Sequence, residues 1–509
     1  MSDWLIWAAI AARSIAYGTV NPSHGSIIAP LAELETGGHK RTWQQTLSVL
    51  ISGVALFSDG YNIQITGYTN TVMAKLYPQA LTATMKARLS NSILIGDIFG
   101  MLLFGVCADR LRRHWGIVGC TFFLVLGVTL ATAAHGKSPT GMLWMIVVAR
   151  DIAGLGAGGE YAVCTTSAVE AANETAGLRK KRGLFVGSAT NTAIIAGFVG
   201  SAIVFLIVLA AYGGEPTEGV WRICFGIGIV LPLTIFIFRM RMVDSTLYQK
   251  HGIARKAFPY KLALKRYWRP LFGCSFAWFL YDTMIYPFNL LAPTLAAGFN
   301  SKATLLQSNG WGALINFFAL PGCIFGSLLI DRLGSRQTYA FGMVMVAIFG
   351  FAIGGAMEPL RTGGTGAFAA FVVLFGLFQS FLSVGPGNNN SLVFSESFPT
   401  PVRGQFVGLA AAFGKAGAAV GTQVYPLIIA RFPTAIKGHQ AMFCIGSATC
   451  LLCAAIVMSM IPDRRAQLED EDMESRRYLE ANGWDTSDMG SRDEITATTP
   501  PNEKEMIKL

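Results

Sequence analysis

Asp282 is the only charged residue in the long apolar run Phe272–Leu291. Moving a carboxylate from water into hydrocarbon is costly unless a partner compensates its charge, so an acid in such a run is a candidate functional residue. Trp278 lies four residues before it and Tyr286 four residues after it, and residues with this spacing share one face of a helix. The pattern predicts a helix face that presents an indole N–H, an acid and a phenol to a polar ligand.

Two further charged residues, Asp59 and Lys415, lie in other apolar runs of the chain. At 1.5 Å per residue from the predicted membrane surface, Asp282 and Lys415 are each about 18 Å deep and Asp59 is about 20 Å deep. Groups at this depth on several helices can meet in a cavity at the membrane midplane. A lone ammonium there would be costly, and an anionic ligand would give it an ionic partner.

The composition indicates an integral membrane protein. Of the 509 residues, 52% are hydrophobic and 14% are charged, whereas soluble domains have about 25% charged residues. The net charge of +10 does not indicate nucleic-acid binding, because Lys and Arg cluster in loops on one side of the predicted membrane. The nine cysteines lie mostly in apolar runs and form no disulfide framework.

Only helices satisfy their own backbone hydrogen bonds in lipid, so the apolar segments predict an all-α membrane protein with twelve transmembrane helices in two six-helix halves. The predicted spans lie near residues 46–69, 90–108, 116–134, 142–166, 183–211, 219–239, 271–297, 309–330, 338–357, 366–392, 404–430 and 440–462. We expect five parts: a cytoplasmic N-terminal segment (1–45), an N-terminal six-helix bundle (46–240), a basic cytoplasmic linker (241–270), a C-terminal six-helix bundle (271–462) and a disordered cytoplasmic tail (463–509).

The loop charges predict the orientation. Lys and Arg are frequent before span 1 and after spans 2, 4, 6, 8 and 10, and rare between spans 5 and 6 and between spans 9 and 10. The side richer in Lys and Arg is normally cytoplasmic, which places both termini inside the cell. We expect a multi-pass protein of the plasma membrane that functions as a monomer.

The two halves share a loop motif. Gly105 precedes Asp109-Arg110 after span 2, and Gly326 precedes Asp331-Arg332 after span 8. Together with Arg113 and Arg336, the pair resembles the duplicated loop signature of the major facilitator superfamily. In span 4, Arg150 and the glycines that follow it resemble that superfamily's fourth-helix motif of proton-coupled importers. The resemblance implies a gating or structural role, with packing against carbonyls as the alternative for Arg150, at these positions: Asp109, Arg110, Arg113, Arg150, Asp331, Arg332, Arg336 and Arg403.

A narrower resemblance comes from three segments read together. Gly158-Gly159-Glu160-Tyr161 in span 4, the Trp278/Asp282/Tyr286 face in span 7 and Gly414-Lys415 in span 11 resemble the phosphate:proton symporter family. The resemblance covers roughly residues 46–460. It implies no cofactor, a small anionic phosphate-bearing substrate, and protons as co-substrate. With two asparagines that can bond phosphate oxygens or glycerol hydroxyls, the implied substrate-binding residues are Tyr161, Asn191, Trp278, Asp282, Tyr286, Asn388 and Lys415.

The chain departs from that family in ways that point to a side branch. Glu160 replaces an aspartate, Asn62 replaces one of two paired acids, and Gly387 displaces the asparagine of span 10 by one position. The expected glutamine of span 5 is absent, with Asn191 nearby. These features are similar to the fungal glycerophosphoinositol permeases, which import glycerophosphodiesters.

Buried acids beside an anionic substrate make sense when they are protonated, because burial and a nearby anion both favour the neutral acid. We therefore expect Asp59 and Glu160 to carry the coupling proton, and Asp282 to contact substrate and pair with Lys415. A structural Asp282–Lys415 ion pair between the halves is the alternative. For Asp97 in span 2, bracing of helices is as well supported as function.

Other functions stay open. Inorganic phosphate is an alternative substrate, and a sugar or secondary-metabolite transporter of the same superfamily is another. The segment after span 6 lacks the Pro-Glu-Ser-Pro-Arg expected of sugar porters. A receptor on this fold would need a larger soluble tail or loop. A membrane enzyme is least favoured, because the sequence offers no nucleophile–base pair or metal cluster.

Overall fold

The computed structural model describes residues 29–108, 113–174, 186–239, 259–299, 303–463 and 468–486. The chain divides into two compact units, Met1–Leu47 and Ser48–Leu509. Of the first unit, residues 29–47 are described and are helical. The second unit contains both predicted six-helix halves and every site discussed below.

The described residues form helices joined by short turns and include no β-strand. The N-terminal half contains α1 Ala29–Leu76, α2 Ala83–Ala108, α3 Arg113–Thr132, α4 Pro139–Glu174, a π-helical turn Ser188–Thr192, α5 Ala193–Ala211, α6 Glu218–Ile227 and α7 Val230–Arg239. The C-terminal half contains α8 Tyr260–Phe299, α9 Leu305–Phe317, α10 Ala319–Leu333, α11 Ser335–Gly355, α12 Met357–Thr362, α13 Gly364–Leu382, a second π-helical turn Ser383–Gly387, α14 Asn388–Glu396, α15 Thr400–Arg431 and α16 Ala435–Met460. A last helix, α17, covers Leu468–Ala481.

Each of the twelve predicted spans is largely helical where the structure describes it, with short non-helical breaks such as Gly228-Ile229 inside the sixth span. By length and apolar composition alone, seven helical stretches qualify as membrane spans, and Val118–Thr132 is a shorter apolar helix. The long helices α1, α8 and α15 fall outside these seven. They carry Asp59, Asp282 and Lys415, three of the candidate site residues, and these charged residues lower the mean hydropathy of their helices.

Large apolar side chains cover much of the surface of the helical unit. Phe99, Phe122, Val148, Ile207 and Ile324 each expose more than half of their area. A soluble protein rarely exposes so much apolar surface, whereas a lipid-facing surface requires it. Both the helical pattern and the surface confirm the predicted all-α membrane fold.

Glycines set the close packing that positions the site. In α4, a Cβ on Gly158 would lie 2.2 Å from the carbonyl oxygen of Asp97, so the backbones of α2 and α4 touch. In α15, a Cβ on Gly417 would lie 2.1 Å from the carbonyl oxygen of Phe279 in α8. Small residues allow such contacts between membrane helices. Asp97 and Lys415 are thereby held on tightly packed pairs of helices.

The segment after residue 463 differs from the predicted disordered tail, because residues 468–481 form α17. Glu471 is buried and accepts a hydrogen bond from Tyr267, while Arg266 lies 3.4 Å from the same carboxylate. Burial and the bond to Glu471 raise the pKa of Tyr267 to about 12, so its hydroxyl keeps its proton and donates it. The buried side chain of Leu479 adds apolar contact. The average composition of the tail did not indicate these contacts between α17 and α8.

The boundary of the basic linker also differs from the prediction. Helix α8 begins at Tyr260, so the end of the predicted linker at 260–270 is a helical extension of span 7. Residues 241–258 lie outside the described part of the chain. The division into two bundles remains a prediction from the sequence.

Candidate functional site

A small cavity lies between the two halves at the level of Asp282 and Lys415. Its volume is about 30 Å³, and a single water needs about 10–15 Å³. The cavity therefore has room for water and is too small for a phosphodiester unless the helices move apart. Its walls come from both halves: Tyr161, Thr190, Asn191, Ile194, Ile195, Phe198, Trp278, Tyr281, Asp282, Ile285, Tyr286, Gly387, Asn390, Ser391 and Lys415.

Lys415 supplies the cation of this cavity and is 4% exposed. Its Nζ donates a hydrogen bond to the hydroxyl of Tyr286. The same ammonium lies 4.4 Å from the ring centroid of Tyr286 and 5.4 Å from that of Tyr161. Aromatic faces attract cations, so the two rings stabilise the charge of the ammonium.

Asp97 is the ion-pair partner of Lys415, with 3.6 Å between Nζ and Oδ2. The predicted pair with Asp282 is therefore not the one that forms, although Asp282 interacts electrostatically with Lys415. The physical reason is the orientation of α2, which turns Asp97 toward α15. The sequence left the role of Asp97 open between helix bracing and function, because its only signal was an isolated acid in an apolar span.

Asp282 is 2% exposed and shares a hydrogen bond with Trp278 on the same face of α8. The Trp278 ring lies 6.3 Å from that of Tyr161 and 5.1 Å from that of Phe394. The structure thus brings together the predicted helix face of Trp278, Asp282 and Tyr286, and all three line the cavity.

The two predicted asparagines meet across the halves. Nδ2 of Asn191 donates to Oδ1 of Asn388 at 2.9 Å. Asn388 itself donates to the carbonyl oxygen of Cys323 and to Oγ of Ser327 in α10, and it does not line the cavity. Asn390, which was not predicted, takes a place on the wall. The run of three asparagines in an apolar span was the available signal for Asn390.

Asn191 lies within the first π-helical turn, and Asn388 directly follows the second. A π-helical turn accommodates one residue more than an α-helical turn and is frequent at functional sites. The turn Ser383–Gly387 directly precedes Asn388 and includes the extra Gly387 of span 10. A Cβ on Gly387 would lie 2.7 Å from Nδ2 of Asn191, so glycine is required for this close approach. The π-helical turn accommodates the additional residue within one turn of the helix.

Asp59 and Glu160, the predicted proton carriers, are both buried, at 4% and 2% exposure, but neither lines the cavity. Asp59 is close enough to interact electrostatically with the hydroxyls of Tyr161 and Tyr286. Asp59 is therefore near two wall residues without lining the cavity itself.

Arg150 is buried inside the N-terminal half and does not reach the cavity. Its guanidinium donates to the carbonyl oxygen of Asn62 at 2.5 Å and lies over the ring of Phe225 at 5.0 Å. The amide of Asn62 also donates to the carbonyl oxygen of Gly228 at 3.3 Å. These contacts join α1, α4 and the turn between α6 and α7, as the packing alternative for Arg150 predicts.

Only part of the predicted gating set is described. Asp109 and Arg110 lie outside the described residues, and of Arg113 the structure describes the backbone at the start of α3. Arg336 donates to the carbonyl oxygen of Met458, and Arg403 donates to that of Phe398 at 3.2 Å. Asp331 and Arg332 lie at the exposed end of α10. Gly334, whose φ is +91°, makes the sharp break after them.

Further contacts close the cavity from both ends. We call the end at which α2 ends and α8 and α15 begin the basic end. Beyond Asp282 and Lys415, on the side away from the basic end, hydrogen bonds join the halves: Gln64 to Asn289 at 3.1 Å, Asn309 to Thr71 at 3.1 Å, and Asn91 to Gln423 at 3.0 Å. On the basic side, the Asn191–Asn388 and Tyr161–Trp278 contacts cross between the halves. Described contacts between the halves therefore flank the cavity on both sides.

The comparisons with known proteins agree with this architecture. The sequence profile described as sugar (and other) transporter matches residues 48–257 and again residues 249–465, once for each half. The chain belongs to this transporter family of the major facilitator superfamily. The duplicated match also confirms the resemblance drawn from the repeated loop motif.

Two curated relatives and one solved structure illustrate the family. The chain is 36% identical to glycerophosphoinositol permease 1 of Candida albicans over 87% of this chain and 83% of the relative. It is 32% identical to glycerophosphocholine permease GIT4 of the same yeast over 87% and 84%. An inward-open structure of the xylose transporter XylE from E. coli superposes with a TM-score of 0.63 at 17% identity, covering 85% and 99%. The last likeness concerns the fold alone.

Proposed function

We propose that this protein imports a glycerophosphodiester, such as glycerophosphoinositol or glycerophosphocholine, together with protons across the plasma membrane by alternating access. The observation that carries the proposal is Lys415, a buried ammonium at a cavity between two transporter halves. A phosphodiester carries one negative charge and oxygen acceptors, which match the ammonium and the hydroxyls of Tyr161 and Tyr286. The similarity to two yeast glycerophosphodiester permeases supports the same substrate class.

The apolar part of the wall favours an ester over inorganic phosphate. Ile194, Ile195, Phe198 and Ile285 line the cavity beside the polar groups. The carbon atoms of glycerol and of a headgroup can contact these side chains, whereas orthophosphate has only oxygens to offer. The polar residues Thr190, Asn390 and Ser391 can bond the hydroxyls of an inositol or the glycerol.

Proton coupling is proposed from the balance of buried charge. At the cavity, Asp97 and Asp282 both interact with the ammonium of Lys415, and an anionic substrate would add a further negative charge beside it. Burying these negative charges together is expensive, so protonation of an acid is the simplest compensation. Substrate and proton then favour each other's binding. Asp59 and Glu160, which are also buried, stay the candidate carriers of the coupling proton.

The predicted orientation completes the proposal. With the basic end in the cytoplasm, the described contacts beyond Asp282 and Lys415 lie on the outer side, and the Asn191–Asn388 and Tyr161–Trp278 contacts lie on the inner side. Release to the cytoplasm requires contacts on the inner side, these two among them, to open. We propose that both termini are cytoplasmic and that one chain is the functional unit.

Uptake assays in yeast cells deleted for their own glycerophosphodiester and phosphate transporters test the proposal. We expect labelled glycerophosphoinositol or glycerophosphocholine to accumulate faster at acidic than at neutral pH, and a protonophore to abolish the accumulation. Labelled phosphate and xylose serve as competing substrates. Preferential uptake of phosphate would show that inorganic phosphate is the substrate. Uptake that the protonophore does not change would refute proton coupling.

A further inference from the structure

Asp97 and Lys415 form a buried ion pair that joins the two halves directly at the cavity. Their charged atoms are 3.6 Å apart, and the side chains are 3% and 5% exposed. Oδ1 of Asp97 is buried and has no hydrogen-bond partner among the described residues. One ammonium is therefore the principal compensation for this carboxylate.

We propose that Asp97 and the substrate phosphate compete for Lys415: Asp97 holds the ammonium in the empty transporter, and the arriving phosphodiester takes it over while Asp97 accepts a proton. This inference rests on the proposed function and names the acid that exchanges charge with the substrate. The proton moves from solvent to a carboxylate oxygen of Asp97. No other bond changes, so charge is balanced by one anion and one proton entering together.

The two partners differ in mobility, which sets the direction of the exchange. Cβ atoms on Gly154 and Gly158 would lie 2.9 Å from the amide nitrogen and 2.2 Å from the carbonyl oxygen of Asp97, so its backbone is fixed against α4. The short Asp97 side chain has little reach from that position. Lys415 has a long flexible stem and already bonds Tyr286 on the cavity wall. The ammonium can therefore turn toward a ligand, and the carboxylate cannot follow it.

The groups that face Asp97 explain why it takes a proton when Lys415 leaves. Helix α15 contributes Lys415, α4 contributes Arg150, and α8 contributes Asp282 and the hydroxyl of Tyr286. On α4, Arg150 also interacts with the neighbouring Asp151. Once Lys415 binds an anion, Asp97 faces a shared arginine and another acid in a site of low polarity. Such an environment favours the neutral acid.

Calorimetric titration of the purified full-length protein with glycerophosphoinositol tests the exchange. Titration at one pH in two buffers with different ionisation enthalpies measures the protons taken up per substrate. We expect wild type to take up protons and Asp97→Asn to take up about one fewer per substrate, since its amide cannot ionise. Asp97→Glu should keep the uptake. Asp151→Asn, a neighbouring acid on α4 away from the cavity, should match wild type.

Three results would decide against parts of the account. Wild-type proton uptake in Asp97→Asn would make Asp97 a structural brace only. Substrate binding by wild type without any proton uptake would refute the exchange even if Asp97→Asn failed to fold. Binding of no glycerophosphodiester by wild type would overturn the proposed function and the exchange with it, whereas the first two results would leave the proposed substrate intact.

Discussion

Removing both partners of the Asp97–Lys415 pair should destabilise the protein by less than the sum of the two single removals. At 3.6 Å and an effective dielectric constant of about 20, two unit charges attract by about 5 kcal/mol. Part of this attraction offsets the cost of burying the two charges. Truncating one partner of a buried pair typically costs about 3–5 kcal/mol, because the other charge remains buried without compensation.

The test is a double-mutant cycle of Asp97→Asn, Lys415→Met and the double variant, with equilibrium unfolding measured in detergent micelles. We expect each single variant to lose about 3 kcal/mol, and the double variant to lose less than the sum by about 2 kcal/mol or more. The double variant carries no charge at either position, and both replacements are close in shape to the native side chains. Additivity within about 0.5 kcal/mol would refute a stabilising interaction between the two residues.

Three further predictions follow from the structure. Gly387→Ala should weaken glycerophosphoinositol uptake about tenfold or more, because its Cβ would displace Asn191 from the cavity wall. Gly408→Ala, where the Cβ meets nothing within 4 Å, is the matched control, and equal uptake by both variants would contradict the close approach. Glu471→Gln should loosen α17 and speed proteolysis of the C-terminal region, and unchanged cleavage would show that the bond to Tyr267 does not hold the helix. In cells, uptake should be faster at pH 5 than at pH 7, and a flat profile would argue against proton coupling.

The helical architecture could be predicted because lipid demands long apolar helices and the loop charges repeat with the halves. The face of Trp278, Asp282 and Tyr286 could also be predicted, since three residues on one helix need only the helical period to come together. Asp97 could not be assigned in this way. Helix α2 is apolar on all sides, so its sequence does not indicate which way its single buried acid points.

The periodicity of apolar residues also could not predict the local departures from regular helix. The inserted Gly387 would rotate every later residue of an α-helix by one position, but the π-helical turn confines the change to one turn. The predicted disorder of the tail is wrong for residues 468–481 for a related reason. Average composition describes residues 463–509 as a whole, whereas the helix α17 depends on the individual contacts of Glu471 and Leu479 with their neighbours.

The most direct test of the central claim is the uptake of labelled glycerophosphoinositol into proteoliposomes that contain either wild type or Lys415→Ala, with an inward proton gradient imposed. We expect gradient-driven accumulation by wild type and its loss in Lys415→Ala. Losing a buried charge contact of about 2–5 kcal/mol weakens the affinity for the anion roughly 30-fold to several-thousand-fold. Lys437→Ala is the control. Lys437 lies in the first turn of α16 and does not line the cavity, so this variant should transport like wild type. Undiminished accumulation by Lys415→Ala would contradict the assignment of this cavity as the anion site.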